Sequence, residues 1–193
     1  MSGGDTKNNL RRTLWNALAL DANLYENAAN NSKTHRLALT IVILAAVSRA
    51  LGSSVILLIS VTKFPPLPIL VLAVVIDVLS VVLGYYFWTL TIWKIGQWLR
   101  PNHAKYGDLL SPIGFAYATQ VLNFLTVIPL LGEPIQLALA VWSLLAVIVA
   151  VRQGLDISNR TSTLICLVGW PLVQIAIGSV QRLELMLLSR FSG

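Results

Sequence analysis

The chain of 193 residues is 56% hydrophobic and only 11% charged, with a mean hydropathy of +0.74. That balance leaves too little polar surface to cover a water-soluble globule, so the bilayer is the expected solvent. The formal charge of +6 does not gather into the basic stripe that nucleic acid requires. Lys and Arg instead sit at the edges of apolar runs, where they orient spans and meet anionic lipid, so no nucleic-acid partner is expected.

The first 36 residues are polar, and no short apolar stretch with a small-residue cleavage site suggests a secretory signal. Within them Leu10, Leu14, Ala17, Leu18, Leu20 and Leu24 fall on one broad helical face, with Arg11, Arg12, Asn16 and Asn23 elsewhere. This is the pattern of an amphipathic helix lying in the membrane interface, a depth that suits Trp15 and Tyr25. A partner-binding helix uses the same pattern and is the alternative. Asp21 interrupts the face and is the expected cap of a second short helix beginning at Ala22.

A helix needs about 20 apolar residues to cross the hydrocarbon, and five stretches approach or exceed that length: Leu37 to Ser60, Ile69 to Ile92, Leu109 to Leu131, Pro134 to Val151 and Thr161 to Val180. Four spans is the alternative, because the fourth stretch is short and the third contains Pro112, Gln120, Asn123 and Pro129, the composition of a re-entrant segment. The runs are continuous and lack the alternation of a barrel, so helices are expected. The predicted architecture is an all-α polytopic transmembrane helix bundle over 37–180, preceded by a cytoplasmic segment over 1–36 and followed by a tail over 181–193.

Orientation follows from the basic residues. With five spans and a cytoplasmic N-terminus, the inner side holds Lys7, Arg11, Arg12, Lys33, Arg36, Lys94, Arg100, Lys105, Arg152 and Arg160, against Lys63, Arg182 and Arg190 outside.

Two charges fall inside spans, Arg49 in the first and Asp77 in the second. A lone charge there costs roughly 2.5–3.5 kcal/mol on insertion scales, so a buried Arg49–Asp77 ion pair clasping the first two helices is expected. A single pair makes a poor proton or ion relay. Gly114 and Ala118 form a small-xxx-small face for close helix packing, and Gln120 and Asn123 are placed to hydrogen-bond across helices. His35 and His103 have no cysteine or carboxylate at ligand spacing, and no nucleophile elbow, phosphate loop or carboxylate pair is present. A non-enzyme without metal or cofactor is expected. Cys166 reads as a small buried residue, and the six tryptophans as interface anchors.

Three less hydrophobic stretches carry a resemblance. They are Leu18-Ala19-Leu20-Asp21 with Leu24-Tyr25-Glu26; Tyr106-Gly107-Asp108-Leu109-Leu110 leading to Gly114-Phe115-Ala116; and Trp142 followed by Ala150-Val151-Arg152-Gln153-Gly154-Leu155-Asp156. In order and spacing, from about Leu14 to Val180, the chain resembles the Yip family of Ypt/Rab-interacting integral membrane proteins in its short bacterial form. The resemblance implies five spans, a cytoplasmic N-terminus, and a role as membrane scaffold or adaptor in a bacterial cytoplasmic or thylakoid membrane. It makes Tyr106, Gly107, Asp108, Arg152, Gln153 and Asp156 candidates for a cytoplasmic face that meets a protein partner. Only about 36 residues precede the first span, which argues against binding of a Rab-type GTPase. A homo-oligomer is compatible with this plan, and a small transporter or channel lined by Arg49, Asp77, Gln120 and Asn123 is the rival reading.

Overall fold

In the computed structural model of the chain, residues 3–28, 32–60, 67–99, 105–128 and 130–169 are described, and all regular structure among them is helical. The helices are α1 (Gly3–Leu18), α2 (Ala22–Glu26), α3 (Ser32–Ser60), α4 (Leu67–Leu99), α5 (Tyr106–Ala116), a 3-10 segment (Tyr117–Val127) and α6 (Gly132–Leu155). A further helix, α7, occupies 159–169. Three helices are long and apolar enough to cross a membrane, with qualifying stretches Ser32–Gly52, Leu70–Trp98 and Gly132–Leu155. These contain or overlap the first, second and fourth expected spans. Positions 170–180 of the fifth, the tail over 181–193, Lys63, Arg100, His103, Pro129 and Trp170 lie outside the described residues.

The third expected span, Leu109 to Leu131, is not one continuous α-helix. It is α-helical to Ala116 and then tightens into a 3-10 helix through Val127. Runs of 3-10 helix longer than three or four residues are uncommon because their hydrogen bonds are poorly aligned, so this one needs support from its surroundings. It has that support, since α5 and the 3-10 segment lie at the centre of the bundle, packed against α3, α4 and α6. Leu109 and every residue from Ser111 to Ala116 are buried.

Small residues make this packing close. Ala38, Ala45, Ala46 and Ala50 are buried along α3. A Cβ added at Gly114 would stand 2.8 Å from the Cβ of Ala38 and 3.4 Å from its backbone, so α5 approaches α3 almost backbone to backbone there. Ala118 is also fully buried.

The N-terminal elements differ from the interfacial expectation in what their apolar face touches. Leu10, Leu14 and Leu18 pack against the bundle core, and Ala17 is fully buried, so that face is taken up by protein. The outward face carries Arg11, Arg12 and Trp15, the last 74% exposed. α1 closes at Leu20, whose φ is 56°: the Leu20 N–H donates to Ala17 O, and the Asp21 N–H reaches back to Asn16 O. These are the two bonds of a Schellman closure, with leucine in the left-handed position where glycine is usual. Asp21 caps α2 as expected, accepting the Asn23 N–H at 3.0 Å. The buried Tyr25 hydroxyl then donates to Ala17 O at 3.2 Å and ties α2 to α1. Burial pushes its phenol well above the ordinary range, which keeps it a neutral donor.

Candidate functional site

The loop end of the bundle gathers two of the three motif stretches. At the start of α5 the Asp108 carboxylate accepts the Lys105 N–H at 2.8 Å, so Asp108 caps the helix. Tyr106 turns toward α4: its hydroxyl donates to Tyr86 O at 3.1 Å and its ring meets Trp93 edge-on at 6.1 Å. Burial raises the Tyr106 phenol, with the neighbouring Tyr86 phenol adding to the shift. Gly107 follows in the same first turn, half-buried.

The end of α6 wedges in beside these residues. A Cβ at Gly154 would lie 2.8 Å from Leu109 Cδ2 and 3.6 Å from Asp108 O, and one at Gly96 would lie 2.8 Å from Leu155 Cδ1. α6 closes at Asp156, whose left-handed backbone (φ 49°) lets the Ile157 N–H reach Arg152 O at 3.1 Å. An aspartate accepts that conformation more readily than most residues. The Arg152 guanidinium donates to Asn159 Oδ1 at 3.2 Å and so links α6 to the first residue of α7. Gln153 is half-buried, and the exposed rim consists of Lys105, Asp156, Ser158, Asn159 and Arg160.

Tyr106 thus ties α5 to α4 and Arg152 ties α6 to α7, while Asp108 caps α5 and Asp156 supplies the turn that closes α6. Gly96 was not among the sequence candidates, because nothing local marks a glycine that a leucine from another helix covers. The N-terminal helix does not complete this face at its C-terminal end. The Trp142 indole N–H donates to Leu18 O at 3.1 Å, and Trp142 lies 13 residues before the end of α6, about 20 Å along its axis. The close of α1 is therefore level with the middle of α6. An apolar groove beside it, about 620 Å³, is lined by Leu20, Pro134, Leu137, Val141, Trp142 and Leu145.

A second polar set lies inside the bundle at the 3-10 segment. The Ser48 hydroxyl donates to Val121 O at 2.7 Å and accepts the Phe124 N–H at 3.0 Å. Those two groups are the partners of one i to i+3 bond, so the serine bridges a rung of the 3-10 ladder. Gln120 donates to Ser143 on α6 at 3.3 Å, the cross-helix bond expected of it. Asn123 contributes its backbone carbonyl, which accepts the Thr126 hydroxyl and faces Gly52. Tyr85 on α4 donates to Leu110 O at 2.7 Å.

Arg49 is half-buried and near enough to Tyr117 for its charge to act on that phenol. Asp77 is half-buried on α4. Trp88 is a core residue and not an interface anchor, only 5% exposed. Cys166 is buried, as read from its neighbours. Among the described residues no three His, Cys, Asp or Glu side chains come together as metal ligands. Comparison of the chain with protein-family models, with curated proteins and with solved structures finds no match.

Proposed function

We propose that this chain is a five-span integral membrane protein with a cytoplasmic N-terminus, acting as a non-catalytic scaffold or adaptor of the Yip type. The observation that carries the membrane reading is α4: only 6% of an 18-residue apolar window within its 29-residue stretch is buried, and Leu72, Leu79, Leu83, Phe87 and Leu90 stand outward along it. A continuous apolar surface of that length suits lipid and is untenable in water. The polar groups of the 3-10 segment, by contrast, are bonded inside.

The scaffold reading rests on how the motif residues are used. Tyr106 ties α5 to α4, Asp108 caps α5 and Arg152 ties α6 to α7, which supports a fixed base under the rim of Lys105, Asp156 and Arg160 for a partner protein. The likeness of the motif stretches to the Yip family supports the same role. On α1, Arg11, Arg12 and Trp15 face outward and suit anionic lipid headgroups or an acidic partner. The polar groups beside the 3-10 segment, Arg49 and Gln120 among them, favour the transporter or channel as second reading.

Photo-crosslinking amino acids placed at Lys105 and Asp156, followed by mild-detergent purification, should return one recurrent protein partner. Recovery of the chain with lipid alone, together with solute flux in vesicles that Arg49→Leu abolishes, would replace the scaffold with a transporter.

A further inference from the structure

Two buried side-chain polar atoms among the described residues have no hydrogen-bond partner in the protein, His35 Nδ1 and Ser111 Oγ. Ser111 is only 1% exposed, so bulk solvent does not serve its hydroxyl. Native interiors rarely leave such groups without either a protein partner or an ordered water.

The two atoms belong to different helices, and the register of those helices brings them to one level. α3 runs in the same direction as α5 and its 3-10 continuation: Ala38 meets Gly114, Ser48 bonds to Val121 and Phe124, and Gly52 faces Asn123 and Thr126. His35 stands three residues before Ala38, and Ser111 three residues before Gly114. That step is close to one helical turn, so each residue lies on the face its helix turns to the other. Helical side chains lean toward the N-terminus, which points both of them toward the start of α3 and away from the Ala38–Gly114 contact. On the far side that contact closes the seam, since a Cβ added at Gly114 would stand 2.8 Å from the Cβ of Ala38. The Tyr85 hydroxyl reaches the residue before Ser111 but is engaged there as donor to Leu110 O.

We propose that His35 Nδ1 and Ser111 Oγ hold one water molecule between the starts of α3 and α5. A neutral imidazole offers one ring nitrogen as acceptor, and a serine hydroxyl both donates and accepts. The water accepts from the Ser111 hydroxyl and donates to Nδ1, which satisfies both atoms and leaves the imidazole proton on Nε2. It ties the first turns of the first long apolar helix to the helix that carries Tyr106, Gly107 and Asp108. Because the seam is closed at Ala38 and Gly114, this water is a fixed bridge and not the first of a file leading to Ser48. The inference goes beyond the scaffold reading and stands equally for a transporter.

The test uses the full chain in lipid bilayers. Its only histidines are His35 and His103, so 15N-histidine labelling reports on both rings, and His103→Gln assigns the signals of His35. The Nδ1 shift of His35 should be that of an unprotonated acceptor, and magnetisation from water should reach it. Ser111→Ala, which leaves the water one partner short, should cut that transfer by about threefold or more. The same substitution should lower the melting temperature by about 2–6 °C in the parent but by less than about 1 °C alongside His35→Leu, where no imidazole is left unpaired. Transfer to Nδ1 absent from the parent, transfer unchanged by Ser111→Ala, or an equal melting loss in both backgrounds would overturn the water site.

Discussion

Ser48 shows how much one hydroxyl can decide in an apolar interior. It is almost fully buried, and its oxygen serves both members of a backbone pair in the 3-10 segment. Ser48→Ala removes the bridge without altering the space, leaving Val121 O and the Phe124 N–H to bond each other at poor geometry or go unpaired. The expected loss is about 1–3 kcal/mol, read as a lower melting temperature in detergent, with Ser48→Thr restoring part of it. Equal melting of the alanine variant and the parent would mean that the ladder closes without help. At the other end of the bundle the left-handed backbone of Asp156 sets a different residue-scale expectation. Asp156→Gly should match or slightly exceed the parent, whereas Asp156→Val, with a branched Cβ in that conformation, should cost about 1–2 kcal/mol. If valine were as stable as glycine, the αL closure of α6 would not be a constraint.

The elements differ in how visible they are in sequence, for a physical reason. α3, α4 and α6 were legible as long apolar runs because a span must be apolar over its whole length whatever it packs against. The break of the third stretch into α and 3-10 halves was not legible. Whether Tyr117 to Val127 bonds at i+3 or i+4 depends on Ser48, on Gln120 with Ser143 and on the approach of Gly52, all tertiary facts. Pro112, Gln120 and Asn123 do mark this stretch as irregular, a composition that suits a re-entrant segment as well. The apolar face of α1 was legible, but its destination was not, since a bundle and a bilayer ask for the same leucines. Gly114 was read for close packing from its spacing with Ala118, and the structure supplies its neighbour, Ala38. Here the obstruction is backbone and Cβ, which cannot swing aside. Gly114→Val should push α3 and α5 apart at a cost of about 1–3 kcal/mol, and Gly84→Val, in open space, should be much milder. Equal losses at the two positions would argue against the α3–α5 contact.

At the scale of the whole molecule both the interior and much of the exterior are apolar, unlike a soluble protein. Polar side chains bridge helices at the centre, and leucines and valines stand outward along α4 and α6. Such an arrangement leaves the number of crossings as the decisive quantity, because α5 with its 3-10 continuation is central and yet is not among the three helices apolar and long enough to span on their own. Eleven α-helical residues at about 1.5 Å and eleven 3-10 residues at about 2.0 Å make roughly 38 Å, enough to cross a hydrocarbon core of about 30 Å. Its α-helical half is buried at Leu109 and from Ser111 to Ala116, so that half needs no continuous apolar exterior to do so. If it crosses, five spans place the C-terminus opposite the N-terminus. If it turns back within the bundle, four spans place both on the same side. Fusions separate these outcomes: with an N-terminal fluorescent protein that matures only in the cytoplasm and a C-terminal phosphatase active only outside it, both reporters should be active on the full chain. A silent phosphatase beside a bright N-terminus, with a fluorescent protein maturing at the C-terminus, would establish four crossings and make the central segment a re-entrant wedge.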